Sequence, residues 1–246
     1  MRVLFALVAV FFSVSTLSYG ARREDLTTYF DRTAVEAWKR LTSDAPVGRV
    51  RASVRAGREE MRATLLSWLP RDLRGARLLD AGCGTGALAV EAARRGADVL
   101  AIDVSPNLIA LANERAPKDL GRGKITFVVG DMLDARHGAC DFAVAMDSLI
   151  HYEGADIVLA VAALSKRVSR SILFTVAPRT PALSVMHAVG QWFPRGDRAP
   201  AIVPIGQTDL ARRLSTNADL AGWRQARTRR VSRGFYVSQA VEATRR

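Results

Sequence analysis

A glycine-rich segment at residues 80–86 constrains the fold of this 246-residue chain more than any other feature. It follows an apolar stretch at residues 77–81, and a helical pattern begins at Gly86. Glycines at a strand-to-helix junction permit a tight turn and let the backbone approach a ligand without a Cβ clash. Several nucleotide-binding folds share such a pattern, so the segment alone predicts a Rossmann-like unit without fixing its ligand.

Strand and helix patterns alternate from residue 77 onward. The strand patterns and the helical patterns between them predict a mostly parallel, seven-stranded α/β sheet with helices on both faces. Two further strand patterns flank a turn at Arg233 and Gly234 and predict an antiparallel edge hairpin. The strands are expected at residues 77–81, 98–103, 125–129, 141–146, 171–176, 225–232 and 234–240, and the helices at residues 86–95, 106–115 and 156–166.

The chain is expected to divide into three parts. Residues 1–21 form an apolar segment, residues 22–70 form an N-terminal helical arm, and residues 71–246 form the α/β domain. The second helix of the arm is predicted over residues 47–69, where Pro70 ends it. A proline-rich insertion around residues 178–205 could be a substrate cover or an ordinary surface loop.

Acidic residues end or follow three successive strand patterns. The Asp80 carboxylate can bind the amino group of a methionine moiety, whereas it would repel a pyrophosphate. Asp103 can accept hydrogen bonds from two ribose hydroxyls, and Asp131 can bond an adenine amino group while Met132 packs on the ring. These residues predict an S-adenosylmethionine (SAM) site in a class I methyltransferase fold. The remaining predicted cofactor contacts are Gly82, Cys83, Gly84, Gly86, Ser105 and Met146, and Ser105 is also expected to cap the next helix.

The formal charge of +12 comes mostly from arginine. Nucleic acid, an anionic membrane face or a carboxylate substrate could explain it, and so could a GC-rich genome. No aromatic and basic binding motif is visible, so no nucleic-acid partner is predicted. Cys83 and Cys140 lie far apart, which predicts neither a disulfide nor a metal site.

The apolar residues 3–14 have the outline of a secretory signal peptide but are marginal in length for a membrane span. SAM is made in the cytoplasm, and Arg22 and Arg23 favour a cytoplasmic body. A membrane anchor or an upstream start-codon artefact therefore fits better than secretion. The expected location is the cytoplasm, with the cytoplasmic face of a membrane as an alternative.

Five segments carry a more specific resemblance. They are residues 29–33 (YFDRT) with Trp38, residues 79–86 (LDAGCGTG), 146–150 (MDSLI), 172–181 (ILFTVAPRTP) and 231–236 (VSRGFY). Together they resemble the magnesium-protoporphyrin IX O-methyltransferase family over about residues 25–240. The glycine segment is generic and the other four are specific. The apolar segment before Arg22 departs from the family pattern.

The resemblance implies methyl transfer from SAM to one propionate of magnesium-protoporphyrin IX in (bacterio)chlorophyll synthesis. Magnesium would then enter only as part of the substrate. By the same resemblance, Tyr29 and His151 are the expected catalytic residues, each donating a hydrogen bond to the propionate. His151 could alternatively ligate the magnesium. The expected substrate-binding residues are Trp38, Asp147, Arg179 and Trp192.

Three alternatives stay open from the sequence. The acceptor could be another small carboxylate or a quinone precursor, and the chain could be a non-catalytic scaffold that binds SAM or porphyrin. Absence of an Asn/Asp-Pro-Pro-Tyr/Phe motif after the fourth strand counts against methylation of nucleobase amino groups. A magnesium chelatase subunit is a candidate partner that hands over the substrate.

Overall fold

Five parallel strands lie side by side in the described part of the sheet. The computed structural model describes residues 19–28, 48–179 and 202–246. The parallel strands pair in the order β3-β2-β1-β4-β5, as the alternation predicted. They are β1 (Arg77–Ala81), β2 (Asp98–Asp103), β3 (Lys124–Val129), β4 (Cys140–Ala145) and β5 (Val168–Pro178).

A C-terminal hairpin completes the sheet. A short strand β6 (Pro204–Ile205) pairs in parallel with β5. Of the two longer strands, β8 (Tyr236–Arg245) pairs antiparallel with β5, and β7 (Trp223–Arg233) pairs antiparallel with β8 at the edge. The full order is β3-β2-β1-β4-β5-β8-β7, which confirms the seven-stranded sheet and the edge hairpin. Strand β6 is an addition that the sequence patterns did not predict.

Helices cover both faces of this sheet because successive strand residues point to opposite sides. The helices are α1 (Tyr19–Thr28), α2 (Arg49–Trp68), α3 (Ala87–Arg94), α4 (Pro106–Arg115), α5 (Gly154–Ser165) and α6 (Gln207–Thr216). On one face, buried Leu78 and Val144 belong to the core that includes the inner sides of α2 and α3. On the other face, Leu79 and Ala143 join the core formed with α5 and α6.

Helix boundaries agree with the expected ones to within two residues for α2 to α5, and α6 was not predicted. Helix α1 runs across residue 21, where we expected the apolar segment to end. Tyr29, Trp38 and Trp192 lie outside the described residues, as does most of the proline-rich insertion. In the described ranges, no helix combines the length and the apolar character that crossing a bilayer requires.

Candidate cofactor and acceptor cavity

A cavity of about 290 Å³ lies beside the carboxyl ends of β1, β2 and β4. Its wall is built from the glycine segment, the loops after β2 and β3, helix α2 and the turn after β4. Carboxyl ends of parallel strands meet at one edge of a sheet, so residues distant in sequence converge there. The predicted residues that line this cavity are Asp80, Gly82, Cys83, Gly84, Asp103, Met132, Met146, Asp147 and His151.

The glycine segment turns with left-handed backbone at two positions where a side chain could not fit. Gly82 has φ of +80°, and a Cβ there would lie 2.5 Å from Cβ of Ser148. Gly86 has φ of +77°, and a Cβ there would lie 2.8 Å from the Phe127 ring in β3. Gly82 therefore lets the loop contact the turn after β4, and Gly86 lets α3 begin against the sheet.

Asp80 is a buried carboxylate at the end of β1, with only 1% of its surface exposed. Among the described residues, its Oδ2 atom has no hydrogen-bond partner. Burial, together with the neighbouring Asp103 carboxylate, raises the pKa of Asp80 to about 7. A buried carboxylate with one unpartnered oxygen in a cavity wall fits a cationic ligand group, such as the methionine amino group predicted from the sequence.

The Asp103 carboxylate joins the first two loops of the site. Its Oδ2 accepts a hydrogen bond of 2.8 Å from the Gly84 N–H, and its Oδ1 accepts one of 3.0 Å from the Ser105 N–H. Burial raises the pKa of Asp103, while these backbone donors act in the opposite direction. The Ser105 hydroxyl accepts from the Leu108 N–H at 3.2 Å and caps α4, as expected. Ser105 itself is buried outside the cavity wall.

Asp131 is held by helix α1. Its carboxylate accepts hydrogen bonds from the Tyr19 hydroxyl at 2.9 Å and from Arg23 at 2.7 Å. Tyr19 also lines the cavity, where its ring stacks on Tyr152 with centroids 5.0 Å apart. Burial is the main cause of a raised pKa at Tyr19. The expected bond between Asp131 and an adenine amino group stays a prediction, while Met132 lines the cavity beside it.

The Asp147 carboxylate is the centre of a polar network at the end of β4. Oδ2 accepts a hydrogen bond of 2.7 Å from Arg58, and Oδ1 accepts one of 3.0 Å from the Tyr236 hydroxyl. The Asp147 N–H donates to the Thr175 hydroxyl at 2.8 Å. Asp147 has φ of +56°, the one non-glycine residue in the described ranges with positive φ. Such strained backbone persists where neighbours fix it, and it concentrates at functional sites.

His151 lies in the short 3-10 turn Leu149–His151 and is buried against the cavity. Arg179 is exposed at the end of β5, where its N–H donates to the Ile205 carbonyl, and it does not line the cavity. Burial raises the pKa of the Cys83 thiol well above its ordinary value, so this thiol is a poor nucleophile. No grouping of His, Cys, Asp and Glu suited to a metal occurs within the described ranges.

Known proteins match the chain over nearly its whole length. The family model for the magnesium-protoporphyrin IX methyltransferase C-terminus matches residues 145–245, and a methyltransferase domain model matches residues 78–170. Magnesium-protoporphyrin O-methyltransferase from Rhodobacter capsulatus is 48% identical over 225 residues, which cover 91% of this chain and 97% of that protein. The chain belongs to the magnesium-protoporphyrin O-methyltransferase family.

Other members of the magnesium-protoporphyrin O-methyltransferase family agree in length and fold. The Synechocystis relative is 30% identical over 220 residues, covering 88% of this chain and 94% of its own. A crystal structure of the Synechocystis PCC 6803 enzyme with bound SAH, at 28% identity, covers 91% of this chain and all of that one, with a TM-score of 0.79. The resemblance drawn from the sequence and the class I methyltransferase fold are thereby confirmed.

Sequence reasoning missed three residues of this methyltransferase that line or support the cavity. Tyr19 escaped notice because it lies within residues 1–21, which we set apart as an apolar segment. Arg58 appears in the sequence only as one of several arginines on an amphipathic helix. Tyr236 reaches Asp147 from the start of β8, and no local pattern near residue 236 indicates that contact.

Proposed function

We propose that this chain transfers a methyl group from SAM to a propionate carboxylate of magnesium-protoporphyrin IX, giving the monomethyl ester in (bacterio)chlorophyll biosynthesis. One observation carries the proposal beyond family membership. The acids at the ends of β1 and β2 line the same cavity as Asp147 and His151 after β4, so a cofactor and an acceptor could meet there. A shared cavity is what a direct group transfer requires.

The cofactor end of the cavity fits SAM, which supplies a methyl group activated by a sulfonium. Asp80 would hold the amino group through its unpartnered Oδ2 atom. Asp103, already fixed by two backbone N–H groups, would accept from the ribose hydroxyls. Met132 and Met146 provide apolar wall, and Gly82 and Gly84 present no side chain of their own to the cavity.

At the acceptor end, the protein has to orient a carboxylate and exclude water. A propionate is ionised at neutral pH, so no strong general base is needed. His151 can donate a hydrogen bond to the carboxylate from a buried turn, where a fixed donor costs little reorganisation. We assign Tyr29 the same role by its place in the family-like segment at residues 29–33. Accurate placement of the reacting groups is worth up to about 7–11 kcal/mol in such reactions.

A methylation assay with SAM and magnesium-protoporphyrin IX tests the proposal, with metal-free protoporphyrin beside it and the product mass as the readout. We expect one added methyl group on the magnesium form. Replacement of Tyr29 by Phe, or of His151 by Ala, should lower turnover and leave SAM affinity unchanged. A protein that binds SAM without yielding product would support the scaffold alternative, and unchanged turnover in both variants would remove these residues from the mechanism.

We also propose that the protein works in the cytoplasm, in contact with the membrane, and receives its substrate from magnesium chelatase. The formal charge of +12 supports attraction to an anionic membrane face. Sedimentation with anionic vesicles at low and high salt tests the membrane part, because electrostatic attachment is released by salt. Co-purification with chelatase subunits tests the handover, and failure to retain any of them would count against it.

A further inference from the structure

Three cationic side chains line the cavity, and all of them come from helix α2. Arg55, Arg58 and Arg62 are spaced three and four residues apart, which places them on one face of the helix. No other arginine or lysine lines the cavity in the part of the chain that the structure describes. We call these residues the α2 arginine row.

Helix α2 is fixed against the sheet, and Arg58 and Arg62 of the row are held by ion pairs. Gly57 packs on the Tyr236 ring so closely that a Cβ at residue 57 would lie 2.4 Å from a ring carbon. This contact brings the helix against the start of β8, and the adjacent Arg58 donates to Asp147 at 2.7 Å. Arg62 forms an ion pair with Glu59, and its side chain is only 21% exposed. Restrained guanidinium groups lose less entropy when they bind an anion.

The cavity wall carries charges of both signs. Asp80 and Asp103 lie on the glycine-segment side, where an anion would be repelled and the cationic cofactor is accommodated. Within the α2 arginine row, Arg58 offsets the charge of Asp147, and Arg62 offsets that of Glu59, which also lines the cavity. A guanidinium pairs with a carboxylate through two parallel N–H···O bonds, which gives it both strength and direction. The row is therefore the part of the described wall suited to an anionic acceptor.

We propose that the α2 arginine row binds the propionate carboxylates of the porphyrin and so selects a dicarboxylate acceptor. This inference rests on the function proposed above. It also differs from the expectation for Arg179, which is exposed and lies outside the cavity wall. In this proposal, the guanidinium groups of Arg55, Arg58 and Arg62 all contact the propionate carboxylates of the substrate.

The test compares magnesium-protoporphyrin IX with its dimethyl ester, which has the same ring and no carboxylate charge. Binding of each compound is titrated by porphyrin fluorescence in the wild type, Arg55→Gln and Arg62→Gln. Arg51→Gln is the matched control, because Arg51 is exposed on the same helix and lies outside the cavity wall. Each cavity variant should weaken binding of the diacid about ten- to a hundredfold, the usual range for a charge-assisted hydrogen bond. Binding of the diester and of S-adenosylhomocysteine should not change.

The proposal is overturned if the wild type binds the diacid no better than the diester. It is also overturned if the cavity variants lose no more diacid affinity than Arg51→Gln does. A fold defect would lower affinity for both porphyrins and for S-adenosylhomocysteine together, so the selective loss identifies carboxylate binding. Turnover is measured separately. If the wild type binds the diacid selectively but forms no methyl ester, the proposed function is refuted. Carboxylate binding by the α2 arginine row is still supported in that case.

Discussion

The substitution Asp80→Asn tests the buried acid at the centre of the cofactor site. An acid whose pKa is higher in the folded state than in the unfolded chain binds its proton more tightly when folded. Its contribution to stability is complete below the ordinary pKa of 3.8 and is lost as the pH rises to about 7. The pKa rises from 3.8 to about 7 on folding. At about 1.36 kcal/mol per pH unit, the full contribution to the free energy of unfolding is about 4 kcal/mol.

Asparagine resembles the protonated carboxyl group in shape and cannot ionise. Above pH 7, the ligand-free Asp80→Asn protein should therefore be more stable than the wild type by up to about 4 kcal/mol, and near pH 4 the two should be alike. Although Asp80→Asn should stabilise the ligand-free protein, it should weaken binding of the cofactor. Removing one partner of a buried charge pair costs about 2–5 kcal/mol of binding free energy. In the wild type, S-adenosylhomocysteine should bind more tightly with rising pH until the pH reaches about 7.

Urea denaturation of ligand-free protein at pH 4.5 and 8, with ligand titration at the same pH values, measures both effects. Asp98→Asn is the matched control, because it removes a half-buried carboxylate from β2 that pairs with Lys124 at 3.1 Å. Such surface pairs contribute at most about 1 kcal/mol. Asp103, whose pKa burial also raises, contributes to the pH dependence that is left in Asp80→Asn. The reasoning is refuted if Asp80→Asn is destabilised at pH 8, or keeps the full pH dependence of the wild type.

Two further substitutions test a close approach in the cavity wall and a buried acid in the C-terminal hairpin. Gly82→Ala should lower stability by about 2 kcal/mol or more and abolish cofactor binding, because its Cβ would overlap Ser148. Gly121→Ala shares the positive φ but meets open space, so an equal loss in thermal unfolding of both variants would argue against the overlap. Arg227→Ala should cost about 2–3 kcal/mol in urea unfolding, because Glu242 is buried and loses two hydrogen bonds of 2.6 and 2.7 Å. A stability within about 0.5 kcal/mol of the wild type would show that Glu242 finds another partner.

The parallel strands could be predicted from the sequence because each contains a short apolar run that ends at a polar or glycine residue. The boundaries of α4 follow from Ser105 as N-cap and Pro106 in the first turn, both of which are local signals. Helix α6 lacked such a signal. Its buried residues are Leu210 and Leu214, a single pair at helical spacing, and the remaining positions are mostly polar.

The cofactor side of the cavity could be predicted for the same reason. Asp80 and Asp103 occupy strand ends, and the fold brings consecutive strand ends to one edge. The Asp147 network could not be predicted. Arg58 and Tyr236 each lie 89 residues from Asp147 in sequence, one before it and one after it. Contacts of that range depend on how α2 and β8 pack, which a single sequence does not encode in any local pattern.

The charges of the cavity imply an order of binding, if the proposed function holds. The acids that line the cavity are Glu59, Asp80, Asp103 and Asp147. Arg58 offsets Asp147 and Arg62 offsets Glu59, which leaves Asp80 and Asp103 as the acids whose charge the cofactor would offset. The positive charge that the cofactor adds to the cavity should therefore strengthen binding of the anionic acceptor. We accordingly expect the cofactor to bind first. Sinefungin and S-adenosylhomocysteine have similar shapes, but sinefungin carries an amine where the thioether lies.

Porphyrin titrations with each analogue measure this coupling. Sinefungin should tighten binding of magnesium-protoporphyrin IX more than S-adenosylhomocysteine does, and the difference should disappear with the uncharged dimethyl ester. An allosteric coupling of this kind is typically about 1–3 kcal/mol, or about 5- to 150-fold in affinity. If both analogues tighten porphyrin binding equally, shape rather than charge couples the two sites. In that case the acids of the cavity wall would serve the cofactor alone, and they would have no part in admitting the acceptor.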